Sequence, residues 1–462
     1  MSLFQYEPLD LTGQSFRLLM LHPGSTSQIS CDIFQASLDL DVIIPYEALS
    51  YAWGSTELSA SITANGETLC ITNNLFTALK DLRDDFLSRV MWIDAICIDQ
   101  NNIAERGHQV GQMASIYRKA EQVVIWLGPS TFERKLLLEC LRKLQQGWKR
   151  QKSHADLTWA QKNGSAIRHS SDLDQAVFAD VQRNALVSLL DEPWFTRIWV
   201  LQEVSNARAA SIYCGRWSIQ ASTLNIAAKV IGVAPDDGCQ AVLDLFPDSF
   251  TRRSPRKNML SVLLQRFRKS KASDPRDMVY ALLAIASDVS QSDSGSLLLP
   301  DYFKTEEQLV QDLKKYLFLD LRYCKVILAR TMVSFLEELP QWTGRVLNGI
   351  VAAGIPDHIR TLLERGQKFT VNKEVIDKIH HWRPAEALSN LSQVEHPNFQ
   401  FDLEGVESSL ELCDYATAEK LLRLYGEKIS INPKFLNQLL EIGRKKSLEK
   451  SLERLARCSS NG

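Results

Sequence analysis

Residues 90–128 read VMWIDAICIDQNNIAERGHQVGQMASIYRKAEQVVIWLG, and their patterning decides the fold class. From Val90 to Ile98 nearly every position is apolar and Asp94 is the only charge, which predicts a central strand buried on both faces. Beyond the polar loop Asp99-Gln-Asn-Asn102, the spacing of Val110, Met113, Ala114, Ile116, Tyr117 and Ala120 predicts a helix over about 103–121. Val123-Val-Ile-Trp-Leu127 then predicts a short strand, with Gly128 after it. Strand, helix and strand at this length form a βαβ crossover, so the strands should run parallel and a ligand is expected at their carboxyl ends, where Asp99, Gln100 and Gly128 fall.

Working outward, VIIPYEALSYAWG at 42–54 predicts a strand, and SITANGETLCIT at 61–72 predicts a β-hairpin turning at Asn65-Gly66, the pair that suits a type I′ turn. Asn73 or Asn74 is expected to cap a helix running to about Asp85. Residues 130–182 are polar and mixed and predict an insertion of one helix plus a loop. Order resumes with a helix to Leu190, a second helix over 194–204 with Pro193 in its first turn, and a strand at 209–214. The division expected is an extension at 1–41, an α/β domain at 42–215, an all-α region at 216–338 and a repeat region at 339–462.

The repeat emerges when the chain is laid on itself. An offset of 30 brings Phe369, Phe399 and Ile429 into register, then Val371, Phe401 and Ile431, then Ile376, Val406 and Leu436. Three apolar columns at one offset predict an α-solenoid with two short helices per unit. Residues 349–366 resemble the helix pair of an ankyrin repeat, without its usual hairpin-forming tetrapeptide.

Composition bounds the function. The chain has 462 residues, 45% hydrophobic and 23% charged, which excludes a disordered or collagenous protein. With 53 Lys and Arg against 55 Asp and Glu there is no positive field to draw nucleic acid. Nothing resembling a signal peptide or a transmembrane span appears, so a cytoplasmic protein is expected. The nine cysteines include no CxxC pair, and no histidines cluster at ligand spacing, which predicts reduced thiols and no metal site. Phosphate-loop, dinucleotide-fold, zinc-protease and serine-hydrolase motifs are missing, so no resident cofactor is expected.

What remains is carboxylates beside aromatics. On a helix over 194–204, Trp199 and Glu203 are four apart and share a face, with Arg197 and Gln202 nearby. A carboxylate next to an indole suits a glycoside of a flat heterocycle; a core tryptophan and a Glu–Arg pair have the same spacing. Asp94 in a buried strand must be a helix cap or part of a site, because an unpaired buried charge is costly. Trp53, ahead of Gly54 in a turn, is the tryptophan best placed to touch a ligand, whereas Trp92 and Trp126 read as core.

Taken together, these segments resemble the HET domain, the heterokaryon-incompatibility module of filamentous fungi. The resemblance rests on Tyr46-Glu-Ala-Leu-Ser-Tyr-Ala-Trp-Gly54, Trp92-Ile-Asp-Ala-Ile-Cys-Ile-Asp-Gln100, Glu105–Tyr117 through Trp126-Leu-Gly128, and Arg197-Ile-Trp-Val-Leu-Gln-Glu203. Asp274-Pro-Arg-Asp277 with Tyr280 resembles a stretch that often follows. The resemblance implies non-self recognition and regulated cell death, with an α/β fold distantly similar to TIR domains. By that likeness Glu203 would be the catalytic carboxylate of an NAD or nucleotide glycohydrolase, with Trp199 or Trp53 stacking on a ring and Asp94 or Asp99 positioning hydroxyls. NAD would then be substrate rather than cofactor. The family commonly has Asn at Asp99, which puts an added negative charge at the expected edge. The competing implication is a non-enzymatic adaptor that self-associates and binds protein partners through its repeats.

Overall fold

The computed structural model describes residues 2–39, 44–150, 175–247, 259–289, 298–318, 329–339, 369–379, 384–410 and 415–425, with 363, 412 and 413. The chain divides into two compact units, Met1–Leu309 and Val310–Gly462.

The first unit is built on a nine-stranded mixed sheet. Its strands are β1 Ser15–Leu21, β2 Ser30–Ser37, β3 Glu47–Tyr51, β4 Ala60–Ala64, β5 Glu67–Ile71, β6 Arg89–Trp92, β7 Gln122–Trp126, β8 Ala210–Cys214 and β9 Trp217–Gln220, in the order β5-β4-β2-β1-β6-β3-β7-β8-β9. The parallel core expected from the βαβ pattern is present as β6-β3-β7-β8. The flanks differ from an all-parallel sheet. β1 runs antiparallel to both β2 and β6, and β9 runs antiparallel to β8.

Residues 1–41, read from the sequence as an extension, therefore supply two strands of this sheet, and β9 lies within the stretch read as all-α. The apolar run Phe16-Arg-Leu-Leu-Met-Leu21 carries Arg17, which masks the strand pattern. In the fold Arg17 is buried and meets Glu105 at 2.5 Å, so the charge is neutralised inside.

The hairpin β4–β5 turns at Asn65 and Gly66, both at positive φ (49° and 81°). The Asn65 side chain pairs with the Ile33 backbone in both directions, so it extends the ladder towards β2. The first helix, α1 Asn73–Leu82, is capped by Thr72, whose hydroxyl accepts from the Leu75 N–H, one residue before the asparagines expected to cap it.

The run 90–98 is not one strand. It leaves the sheet at Trp92 and becomes a one-turn helix, α2 Asp94–Cys97, closed by the Ile96 and Cys97 N–H groups donating to Ile93 O, with no side-chain cap. Next come α3 Ile103–Lys119, α4 Phe132–Arg150 and α5 Gln175–Leu190; the rest of the expected insertion, 151–174, lies outside the described residues. The expected helix over 194–204 is broken as well. A 3₁₀ turn at Pro193–Thr196 and a short helix, α6 Val200–Ser205, flank an extended Arg197. The cause is a parallel bridge to a later segment: the Ile198 N–H donates to Lys271 O at 3.0 Å and the Lys271 N–H to Thr196 O at 2.6 Å. Helices α7 Ala221–Ile231, α8 Asp237–Leu243, α9 Leu260–Arg266, α10 Asp277–Leu283 and α11 Glu306–Phe318 follow.

In the second unit, β10 Phe369–Val371 pairs in parallel with β11 Phe399–Phe401. The partners are Phe369 with Phe399 and Val371 with Phe401, the same offset of 30 found in the sequence. Helices α12 Lys373–Ile379 and α13 Pro384–Ser392 follow the first strand, and α14 Leu403–Leu410 and α15 Tyr415–Tyr425 the second. Caps repeat at the same offset: Asn372 accepts from the Val375 N–H and Asp402 from the Gly405 N–H. Residues 349–362 and 364–366 of the ankyrin-like segment, and the columns at 429–436, lie outside the described residues.

Candidate functional site

A cleft of about 820 Å³ opens beyond the carboxyl ends of the adjacent parallel strands β3 and β6. It lies where open α/β sheets place their ligands, because backbone N–H groups and loop side chains converge there. β3 delivers Ala52, Trp53 and Gly54 to its wall, and Gly54 turns the chain at φ 70°. Beyond β6 come Asp94 and Gln100, and the broken 193–204 segment adds Thr196, Arg197 and Trp199.

Asp94 joins two of these walls. Its Oδ2 accepts the Trp53 indole N–H at 3.0 Å while Oδ1 accepts the N–H of the next residue, Ala95, at 2.8 Å. Asp94 therefore lines the cleft but caps no helix: it is the first residue of α2, whose cap position is Ile93. Although half-buried by surface area, its carboxyl stands in surroundings poor in water, which raise its pKa. The positive Arg197 and the Trp53 hydrogen bond pull the other way. Gln100 donates from Nε2 to Asp94 O at 2.9 Å and so fixes the same loop.

Asp99 and Glu203 do not line the cleft. The Asp99 side chain accepts the Asn101 N–H at 3.1 Å, an ordinary turn contact, and its own N–H donates to Glu105. The negative charge noted at this position is thus spent on the loop. Glu203 is 1% exposed, behind β3. It accepts a hydrogen bond from the Ser50 hydroxyl, which in turn accepts the Trp194 indole N–H at 2.7 Å, and it lies 4.0 Å from Arg197. Burial raises its pKa to about 7 against the opposing pull of Arg197 and Ser50. Trp199 and Glu203 part company because Trp199 caps α6 instead of sitting within a longer helix. Glu203 reaches the cleft only through Arg197, which lines it and also donates to Tyr51 O.

Sequence reasoning missed the far wall. Lys271, Ala272, Ser273, Asp274, Asp277 and Tyr302 complete the cleft. Asp277 accepts the Trp199 indole N–H at 3.1 Å on one oxygen and the Tyr302 hydroxyl at 2.6 Å on the other. Burial pushes its pKa up to about 6, with both donors pulling down. The guanidinium of Arg106 stacks 4.0 Å from the Tyr302 ring centroid, and Arg276 clamps Asp274 at 2.6 Å. A signal was present in the acid-Pro-Arg-acid pattern at 274–277, but nothing local tied it to residues 75 or more positions earlier. Among the described residues no group of three or more His, Cys, Asp or Glu side chains could hold a metal ion.

Residues 46–203 match the model described as heterokaryon incompatibility protein (HET). The chain is also 25% identical over 354 residues to heterokaryon incompatibility protein 6, OR allele, of Neurospora crassa, an alignment covering 65% of this chain and 51% of that protein. It therefore spans about half the length of the curated relative it matches. No solved structure matches the chain. The far wall of the cleft, Lys271 to Tyr302, lies beyond the matched residues.

Proposed function

We propose that this chain acts in heterokaryon incompatibility as a regulated cell-death effector, and that the cleft is its working site. The observation that carries this reading is the meeting of Trp53, Asp94 and Trp199, one from each of three separate motifs, on a single cavity at the strand ends. Two indoles beside a carboxylate suit a nucleotide-class ligand, and cleavage of the N-glycosidic bond of NAD is the reaction class they fit. Asp94 would face the positive charge that grows on the ribose as the bond breaks. Glu203, set behind β3, would hold Arg197 in place rather than touch substrate. The test is nicotinamide release from NAD by purified protein at concentrations that force self-association. Release that Asp94→Asn lowers at least tenfold is expected; no release by the wild type removes the enzymatic reading.

A second reading has its own support in the burial of Glu203. A carboxylate held by Ser50 and Arg197 is what a structural core residue looks like, and it favours a non-enzymatic adaptor that self-associates and binds protein partners through its repeats. If expression kills cells and Asp94→Asn kills as well as the wild type, the adaptor reading stands. Among the described residues no helix is long and apolar enough to cross a membrane.

A further inference from the structure

The cleft lining has an unusual electrical composition. It carries the carboxylates of Glu57, Asp94, Glu192, Asp274 and Asp277 against three cations, Arg106, Arg197 and Lys271. Several of these are already engaged. Asp274 is held by Arg276, Glu192 pairs with Arg134, and Arg197 leans on Glu203. Asp94 and Asp277 are different. Each spends one oxygen on an indole N–H, from Trp53 and Trp199 respectively, and among the described residues neither forms an ion pair. In the same way, neither indole has an aromatic ring or a cation packed on it among the described residues.

The cleft thus holds two indole–carboxylate pairs of like design, one inside the matched residues and one completed from the segment after them. An indole whose N–H donates to a carboxylate has extra electron density on its ring, which strengthens attraction for a cation over the face. A carboxylate at the ring edge adds charge compensation in surroundings where screening by water is weak. A neutral flat ring would gain the stacking but would bring no further charge to the two carboxylates, which feel Arg197 and Arg106 only as nearby charges without an ion pair among the described residues.

Resting on the nucleotide-ligand reading above, we infer that the cleft selects a flat ring carrying a delocalised positive charge, such as a pyridinium, and that Asp277 with Trp199 is a recognition element for it. The site is then incomplete in the matched domain alone. Asp277 arrives on α10, held by the Tyr302 hydroxyl, and Lys271 is tied to Thr196 and Ile198 by the bridge that breaks the 193–204 helix.

The test uses the full chain and two probes that share one ring and differ in charge, 1-methylnicotinamide (cationic) and nicotinamide (neutral), with binding followed by calorimetry at pH 7.5. The wild type is expected to bind the cation about tenfold more tightly. Asp277→Asn should shrink that preference to about threefold or less. Tyr302→Phe, which removes a donor but keeps the Asp277 charge, should retain the preference. Equal affinity for the two probes, binding of neither, or a full preference in Asp277→Asn would overturn the inference. So would loss of preference in Tyr302→Phe as complete as in Asp277→Asn, since the effect would then be one of packing. Failure of NAD cleavage leaves the ring preference intact, and loss of ring preference leaves NAD cleavage intact, so the two readings fall separately.

Discussion

Replacing Glu203 by Gln should flatten the pH dependence of the first unit's stability. The folded state holds this carboxyl at a pKa of about 7 against an ordinary 4.5. Between those values the folded chain binds more protons than the unfolded one, so stability falls as pH rises and levels off once the group is ionised in both states. The stabilisation is fully present below pH 4.5 and is lost on passing pH 7. A displacement of this size corresponds to about 3 kcal/mol, or roughly 6 °C in melting temperature for a domain of this length. The attraction of Arg197 at 4.0 Å is already contained in the shifted value. Gln resembles the protonated acid in shape, still accepts from Ser50 and cannot ionise. Wild type and variant should therefore melt together near pH 5 and diverge towards pH 8.5, with the variant the more stable. Asp94 and Asp277 drift in the same direction in both proteins, so the difference isolates Glu203. Parallel curves, or a variant less stable at pH 8.5, would show that the carboxyl is ionised and well compensated by Arg197.

Three further outcomes are expected. Arg17→Met should cost about 3–5 kcal/mol in denaturant unfolding, because it leaves Glu105 buried without its partner, both side chains being 3% exposed. Gly405→Ala should weaken the second unit by at least about 2 kcal/mol in thermal unfolding, since a Cβ there would lie 1.9 Å from the Val371 carbonyl, which also accepts from the Asp402 N–H. The preference for a cationic ring should fade as pH falls through about 6, where Asp277 takes up a proton. Tyr302, Trp199, Asp274 and Arg106 are the groups that face Asp277, and calorimetry of the two nicotinamide probes from pH 5 to 8 would follow the change.

The parallel centre of the sheet was legible because β6, α3 and β7 obey period and length rules that act within forty residues. The hairpin was legible because Asn65-Gly66 admits little else. Arg17 hid β1, since an internal charge reads as exposed until its partner Glu105 is found 88 positions away. The 193–204 helix was misread for a similar reason. Local spacing favours one helix, and only the bridge to Lys271 shows why Arg197 is extended. Of the candidate residues, Trp53, Asp94, Gln100, Arg197 and Trp199 come together on the cleft, while Asp99 and Glu203 do not. Distance in sequence separates the two groups less than backbone direction does: Glu203 is four residues from Trp199 and points into the core. The offset of 30 reappears between two segments, where Phe369–Val371 pairs with Phe399–Phe401, but as parallel strands rather than the helices expected of an α-solenoid.

The bridge between Thr196–Ile198 and Lys271 has a consequence for the order in which the protein is made. A chain leaving the ribosome can finish β3, β6 and β7 early, yet Trp199 has no acceptor for its N–H until Asp277 has emerged, and Asp277 lacks its second donor until Tyr302 follows. The cleft is therefore completed only when most of the first unit has been translated. A chain terminated soon after Cys214 would own every motif of the matched domain and still have only one side of its site.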